Sequence, residues 1–282
     1  MLDISKKIDK FNLEILKKIK EAADKLNIKF FIVGATVRDM ILNYVYDIKV
    51  YRKTNDIDLA VRVKNWDKYN LLINEIEKTG FTKSENILHR YFYRGMMIDF
   101  IPFGGISTKD ETIKWSNDKD EKEMNVIGFA DAFLNTEDIV IQTDPDIIIK
   151  SASVESLAML KIFAWHDRAI DVRIKDARDL YLIMSKYLQA GNESRLFEEH
   201  LDIVEEATDY ELAGARLLGG DISNIASDKV RERIHNILKD DKQSMLAIEM
   251  AQFEGLTYKR DETEKVCLLL VGNLRIGLRD KR

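Results

Sequence analysis

Phe31-Ile32-Val33-Gly34-Ala35-Thr36-Val37-Arg38-Asp39 changes its periodicity at the glycine. Before it, residues 30–33 form a short apolar run of strand length. After it, Val37, Met40, Ile41 and Tyr44 recur at helical spacing. A strand that turns sharply through glycine into a helix presents backbone N–H groups and the positive end of the helix dipole, which suits phosphate. Arg38, one turn into that helix, is placed to add a charge-assisted contact. A plain strand-to-helix turn accounts for the same residues, because phosphate loops usually carry more than one glycine.

Working outward, residues 4–26 place Ile8, Phe11, Ile15, Ile19, Ala22 and Leu26 at helical spacing between lysines, an amphipathic helix that covers an apolar surface. On the other side, Ile57, Leu59, Ala60, Val61 and Val63 read as a second strand, and residues 66–78 as a helix terminated by Gly80. Residues 87–93 and 96–101 read as two strands joined at Arg94-Gly95 and ended by Pro102. Shorter strands are expected near residues 125–129 and 139–149. From Val154 the pattern is helical, with Leu157, Leu160, Lys161, Ala164 and Trp165, then Ala177, Leu180, Tyr181 and Met184. The expected class is α/β (α+β): a mixed sheet with flanking helices over residues 1–150, followed by a helical C-terminal part over 151–282.

Asp56-Ile57-Asp58 is the strongest local signal. Residues two apart in a strand point to one face, so the two carboxylates sit side by side, where like charges repel unless a cation lies between them. Hard cations such as Mg²⁺ commonly bind through one or two carboxylates plus substrate phosphates. A solvated edge or turn is the plainer account of such a triplet. Asp99 is a lone acid among Met96, Met97, Ile98, Phe100 and Ile101, and burying it is costly unless it is paired or coordinated. On an edge strand it would simply face water.

The 282 residues are 45% hydrophobic and 33% charged, with 2 prolines and 13 glycines, so the chain carries ample core and no linker composition. Its longest apolar runs, such as residues 267–271, are too short to span a bilayer, and the reading is a cytoplasmic protein without a membrane partner. With Cys267 the one cysteine, no internal disulfide forms and any metal takes oxygen ligands or the 4 histidines. A net charge of -5 argues against a general nucleic-acid coat, though not against a local basic cleft.

The order of the Gly34 turn, Asp56-Ile57-Asp58-Leu59 and a later acid in an apolar strand resembles the polymerase-beta type nucleotidyltransferase superfamily. Within it the chain is most similar to AbiEii-like nucleotidyltransferases, some of which are toxins of type IV toxin-antitoxin systems. The similarity continues through residues 63–66, His89-Arg90, 98–104 and 159–182, and the last hundred residues add little. This resemblance implies that residues 1–150 are the catalytic domain, that Gly34, Ala35 and Thr36 form the phosphate turn, and that Asp56 and Asp58 are the metal pair. It makes Asp99 the third carboxylate, a further ligand to the metal ions that acts as base or orients the attacking group. Ala35 departs from the glycine or serine usual at its position, which removes a side-chain hydroxyl there.

The segments Leu160-Lys161-Ile162-Phe163-Ala164-Trp165-His166-Asp167-Arg168 and Lys175-Asp176-Ala177-Arg178-Asp179-Leu180 resemble the basic and Lys-Asp elements that follow the core in AbiEii-like proteins. On that basis Lys161 contacts the triphosphate, with Arg168 on the same helix face, and Asp176 positions or neutralises a basic partner. A solvated helix face laced with ion pairs is the alternative. His89 and His166 read as packing or hydrogen-bonding residues.

The implied activity is metal-dependent transfer of a nucleoside monophosphate from a triphosphate to an acceptor hydroxyl, with Mg²⁺ or Mn²⁺ as cofactor. The acceptor is an RNA 3′ end such as that of a tRNA, a protein or a small molecule, and a toxin would also have a cognate antitoxin. The competing reading is a catalytically inactive fold that binds nucleotide or a partner, against which the three carboxylates stand. A kinase or phosphohydrolase is disfavoured, since neither a Gly-x-x-x-x-Gly-Lys loop nor a His-Asp metal pair is visible.

Overall fold

The structure is a computed structural model that describes residues 1–50, 54–115, 123–207, 209–252 and 260–280. It divides into two compact units, Met1–Ser153 and Val154–Arg282.

The first unit is built on an eight-stranded mixed sheet. In chain order its strands are β1 (Leu2–Asp3), β2 (Lys29–Val33), β3 (Asp56–Val63), β4 (Thr82–Lys83), β5 (Arg90–Tyr93), β6 (Met96–Gly104), β9 (Thr136–Gln142) and β10 (Ile147–Ala152). They lie in the order β1-β9-β10-β2-β3-β6-β5-β4, while β7 (Thr112–Lys114) and β8 (Glu123–Asn125) pair separately. The helices are α1 (Lys10–Lys25), α2 (Gly34–Arg38), α3 (Trp66–Glu77) and α4 (Phe129–Leu134). The α/β class expected from the two periodicities is the class observed.

Strand periodicity sorts the two faces. Ile57, Leu59, Ile98, Phe100, Tyr91 and Tyr93 turn to one side, where Phe81 packs on Tyr93 and Phe100, Phe11 stacks on Tyr93, and Tyr69 of α3 donates to the Phe100 carbonyl. Phe100 and Leu59 are fully buried, each contributing about 1.5–3 kcal/mol through area removed from water. Phe31 and Phe103 turn to the other side, against Phe133 of α4. Asp56, Asp58 and Asp99 share this second face by their register.

Four expectations change. The N-terminal helix starts at Lys10, because Asp9 accepts hydrogen bonds from the Phe11 and Asn12 amides as an N-cap, while Ile4 donates its amide to Val140 beside strand β1. Pro102 lies inside β6. The amide of Phe100 points away from β3, to the His89 carbonyl, so by alternation position 102 also faces the β5 side, and pairing with β5 has ended at Asp99. A missing N–H therefore costs no ladder bond there. Residues 139–149 contain a hairpin, since Asp144-Pro145 supplies a turn between β9 and β10. Near residues 125–129 the strand stops at Asn125, whose side chain accepts from the Ile127 amide, and Phe129 begins a helix.

Among its described residues the second unit is built of helices: α5 (Val154–Asp167), α6 (Ile170–Lys186), α7 (Glu193–Glu199), α8 (Leu201–Glu206), α9 (Tyr210–Ile225), α10 (Asp228–Ile237), α11 (Asp240–Met250) and α12 (Arg260–Gly277). Helices α9 and α12 approach backbone to backbone: a Cβ on Gly219 would lie 2.2 Å from the Leu274 carbonyl oxygen, and one on Gly277 1.9 Å from that of Arg216. Trp165 is buried and donates its Nε1–H to Glu249 at 2.7 Å, and Arg173 grips the same carboxylate. Among the described residues no helix is long and apolar enough to cross a membrane.

Candidate active site

The ladder of β2, β3, β6 and β5 assembles one row of residues across four strands. Val33 is the partner of Asp58, Asp58 of Asp99, and Asp99 of Arg90. Asp56 stands two residues before Asp58 on the same face, opposite Met97. Parallel pairing of β3 with β6 thus brings together two acids that are 41 positions apart in sequence (99 minus 58).

Gly34 follows the row's first member, and the carboxylate decides that it is glycine. Its φ is +74°, and a Cβ there would lie 2.0 Å from Asp58 Oδ2. The turn therefore sits directly on that carboxylate. Val33 offers no side chain to cap the helix that starts at Gly34, and the helical path continues through a π-helical segment, Asp39–Val45.

A chain of hydrogen bonds fixes Asp56. Arg38 is 2% exposed and donates to Asp39 Oδ1 through Nε at 2.9 Å and NH2 at 2.5 Å. The other oxygen of Asp39 accepts from the Thr54 amide at 3.3 Å, and the Thr54 hydroxyl donates to Asp56 Oδ1. The Thr36 hydroxyl donates to the Asp56 carbonyl at 2.6 Å. Two side chains expected near phosphate thus make contacts within the protein: the Thr36 hydroxyl ties the turn to the start of β3, and the Arg38 guanidinium braces Asp39. Ala35 is buried beside them.

Asp99 is 6% exposed and is held by a two-pronged contact that sequence reasoning did not assign. Arg90 donates through Nε to Oδ1 and through NH2 to Oδ2, both at 2.8 Å. The Asp99 hydrogen bond is the main cause that raises the guanidinium's pKa, with Asp58 and Asp56 adding field. The register Arg90 to Asp99 is what a hairpin turning at Arg94-Gly95 dictates, so counting back from that turn would have exposed the pair. His89 Nε2 lies 3.8 Å from Asp99 Oδ2, its ring tilted against Trp115, and burial pushes its pKa down.

Lys161, Arg168 and Asp176 meet in the second unit. Asp176 is wholly buried, with Lys161 Nζ at 2.8 Å on one oxygen and Arg168 NH1 at 2.8 Å on the other. Lys161 also reaches Asp179 at 2.7 Å. Burial alone would lower the Lys161 pKa, but Asp179 and Asp176 outweigh it and hold the ammonium charged. Instead of standing open to a phosphate, Lys161 is occupied by two aspartates. His166 bonds with Asp167 and Lys242.

The donor chemistry of the first unit suits a hard cation. Among the described residues no three His, Cys, Asp or Glu side chains are grouped as a ready-made metal cage. Asp56 and Asp58 fit the other arrangement open to Mg²⁺, in which one or two carboxylates bind an ion whose remaining ligands are substrate phosphates and water.

The family model described as "Nucleotidyl transferase AbiEii toxin, Type IV TA system" matches residues 19–257. No curated protein matches the chain. Among solved structures, the antibiotic-resistance factor ANT(2'')-Ia in solution is 17% identical, with a TM-score of 0.40 over 71% of this chain and 97% of that one. A nucleotidyltransferase-like antigenic protein from Paracoccidioides brasiliensis is 14% identical, with a TM-score of 0.38 over 68% of this chain and 90% of that one. A CCA-adding enzyme in complex with CTP is 13% identical, with a TM-score of 0.29 over 95% of this chain and 80% of that one.

Proposed function

The chain belongs to the AbiEii nucleotidyltransferase family and is a nucleotidyltransferase, and on that premise we propose that Asp56, Asp58 and Asp99 are its catalytic carboxylates. The reaction is transfer of a nucleoside monophosphate from a triphosphate to an acceptor hydroxyl. The observation that carries this reading is the row itself: Asp58 lies between Asp99 and the Gly34 turn, with Asp56 beside it.

In this reading the amides of the turn at Gly34, Ala35 and Thr36 receive the triphosphate, since backbone donors at a helix start favour anions. Asp58, against that turn, lies where a bound phosphate and a cation would meet. Asp56, held by Thr54 and by the Thr36 contact to its carbonyl, keeps its orientation without rearrangement. Asp99 orients the attacking hydroxyl or accepts its proton. Mg²⁺ or Mn²⁺, held by Asp56 and Asp58 with Asp99 as a further ligand, would supply charge neutralisation at the phosphates and a lowered pKa for the acceptor hydroxyl.

The family description supports a toxin with a cognate antitoxin. The acceptor hydroxyl belongs to an RNA 3′ end such as that of a tRNA, to a protein or to a small molecule, and the protein acts in the cytoplasm. Lys161 and Arg168 serve this function by holding Asp176 and the second unit in shape. The test is label transfer from each α-labelled triphosphate to total RNA or lysate in the presence of Mg²⁺. Asp58→Asn is expected to lower transfer on the order of a thousandfold, corresponding to several kcal/mol of transition-state stabilisation, with native circular dichroism. Undiminished transfer by Asp58→Asn would rule out the carboxylate assignment.

A further inference from the structure

We propose that Arg90 is the built-in counter-ion of Asp99, which a divalent cation must displace to use that carboxylate, so that Arg90 sets how tightly the site takes metal. The inference rests on the metal-dependent reading above.

It begins with register. A hairpin turning at Arg94-Gly95 places position 90 across from position 99 on the same face, and the parallel pairing of β3 with β6 places Asp58 on the other side of Asp99. Asp99 therefore lies between a guanidinium and a second carboxylate. At 6% exposure it depends on an opposing charge, because a buried carboxylate without one is strongly disfavoured.

Arg90 supplies that charge in the form that most fully occupies a carboxylate. A fork with both prongs at 2.8 Å engages both oxygens, where a lysine would make a single point contact. The two partners differ in freedom: the Arg90 side chain is 25% exposed and the Asp99 side chain 8%. Arg90 can swing toward water while Asp99 stays, so the contact is built to open from the arginine side. A dication approaching Asp99 meets both the occupied oxygens and the fixed positive charge.

The experiment titrates the purified full chain with Mn²⁺ in the absence of nucleotide, reading free Mn²⁺ by electron paramagnetic resonance and protein stability by melting temperature. Arg90→Gln is expected to melt lower than wild type without metal and to bind Mn²⁺ about tenfold more tightly. Arg90→Lys is expected between the two, and it carries the test if Arg90→Gln does not fold. In an Asp99→Asn background, Arg90→Gln is expected to leave Mn²⁺ affinity unchanged. Affinity in the foldable Arg90 variant equal to or weaker than wild type overturns the proposal, as does tightening that persists without the Asp99 charge. If Asp56→Asn with Asp58→Asn binds Mn²⁺ as wild type does, the metal reading itself has failed, a result separate from any behaviour of Arg90.

Discussion

Two groups of charged side chains in this protein are built on opposite terms. In the first unit Asp56, Asp58 and Asp99 gather at one end of a sheet, their field converging on Arg90. In the second, Asp176 and Asp179 are matched by Lys161 and Arg168, with Asp176 wholly buried and the Lys161 side chain 9% exposed. The matched set neutralises itself, with Lys161, Asp176 and Asp179 buried and Arg168 half exposed at its edge, which is how a fold tolerates buried charge. The sheet cluster sits instead at a glycine turn, with Asp58 between that turn and Asp99, where the proposed cation and triphosphate would meet. Local sequence makes the two look alike, since each is an acid or base among apolar neighbours.

The comparison breaks most visibly at Lys161. Lys161→Ala would leave two aspartates facing each other in the helical unit, at a cost of about 3–5 kcal/mol in chemical denaturation. Asp58→Asn, which keeps the shape of the side chain beside the Gly34 turn, is expected to stay within about 1 kcal/mol of wild type. If Lys161→Ala is as stable as wild type and instead loses triphosphate binding, the lysine belongs to the site and the contrast is wrong.

A smaller effect sharpens the sheet side. Gly34→Ala places a methyl 2.0 Å from Asp58 Oδ2 at a left-handed φ, so the backbone strain of about 1–2 kcal/mol is joined by displacement of the carboxylate. In an Asp58→Ala background the penalty is expected to shrink toward the backbone part alone. An unchanged penalty in that background would mean that the turn does not lean on Asp58.

The smallest expected effect is a pH dependence at His89. Burial lowers its pKa below the ordinary 6.5, so as pH falls through 6.5 the unfolded chain takes up a proton that the folded one refuses. Stability is therefore lost on acidification between 6.5 and the lowered folded value, and is restored above 6.5. His89→Gln is expected to flatten the melting-temperature profile across that window. A profile as steep as that of wild type would assign the dependence to another group.

Periodicity is a local property, and what depends on it was legible in the sequence alone. The strand at residues 57–63, the helix from Trp66, the hairpin at Arg94-Gly95, the α/β class and the helical second half follow from spacing and turn residues, because each reflects how neighbouring side chains share a face. The Asp56-Ile57-Asp58 pair and the Gly34 turn could be picked out for the same reason. The tertiary structure alone decided which charges meet. That Asp99 stands beside Asp58 depends on β3 pairing with β6, and that Arg90 holds Asp99 depends on register within a hairpin. That Lys161 faces Asp176 and Asp179 instead of water depends on α5 packing on α6. Spacing determines the face on which a side chain lies, whereas its partner is set by which elements the chain packs together, at separations over which local sequence carries no signal.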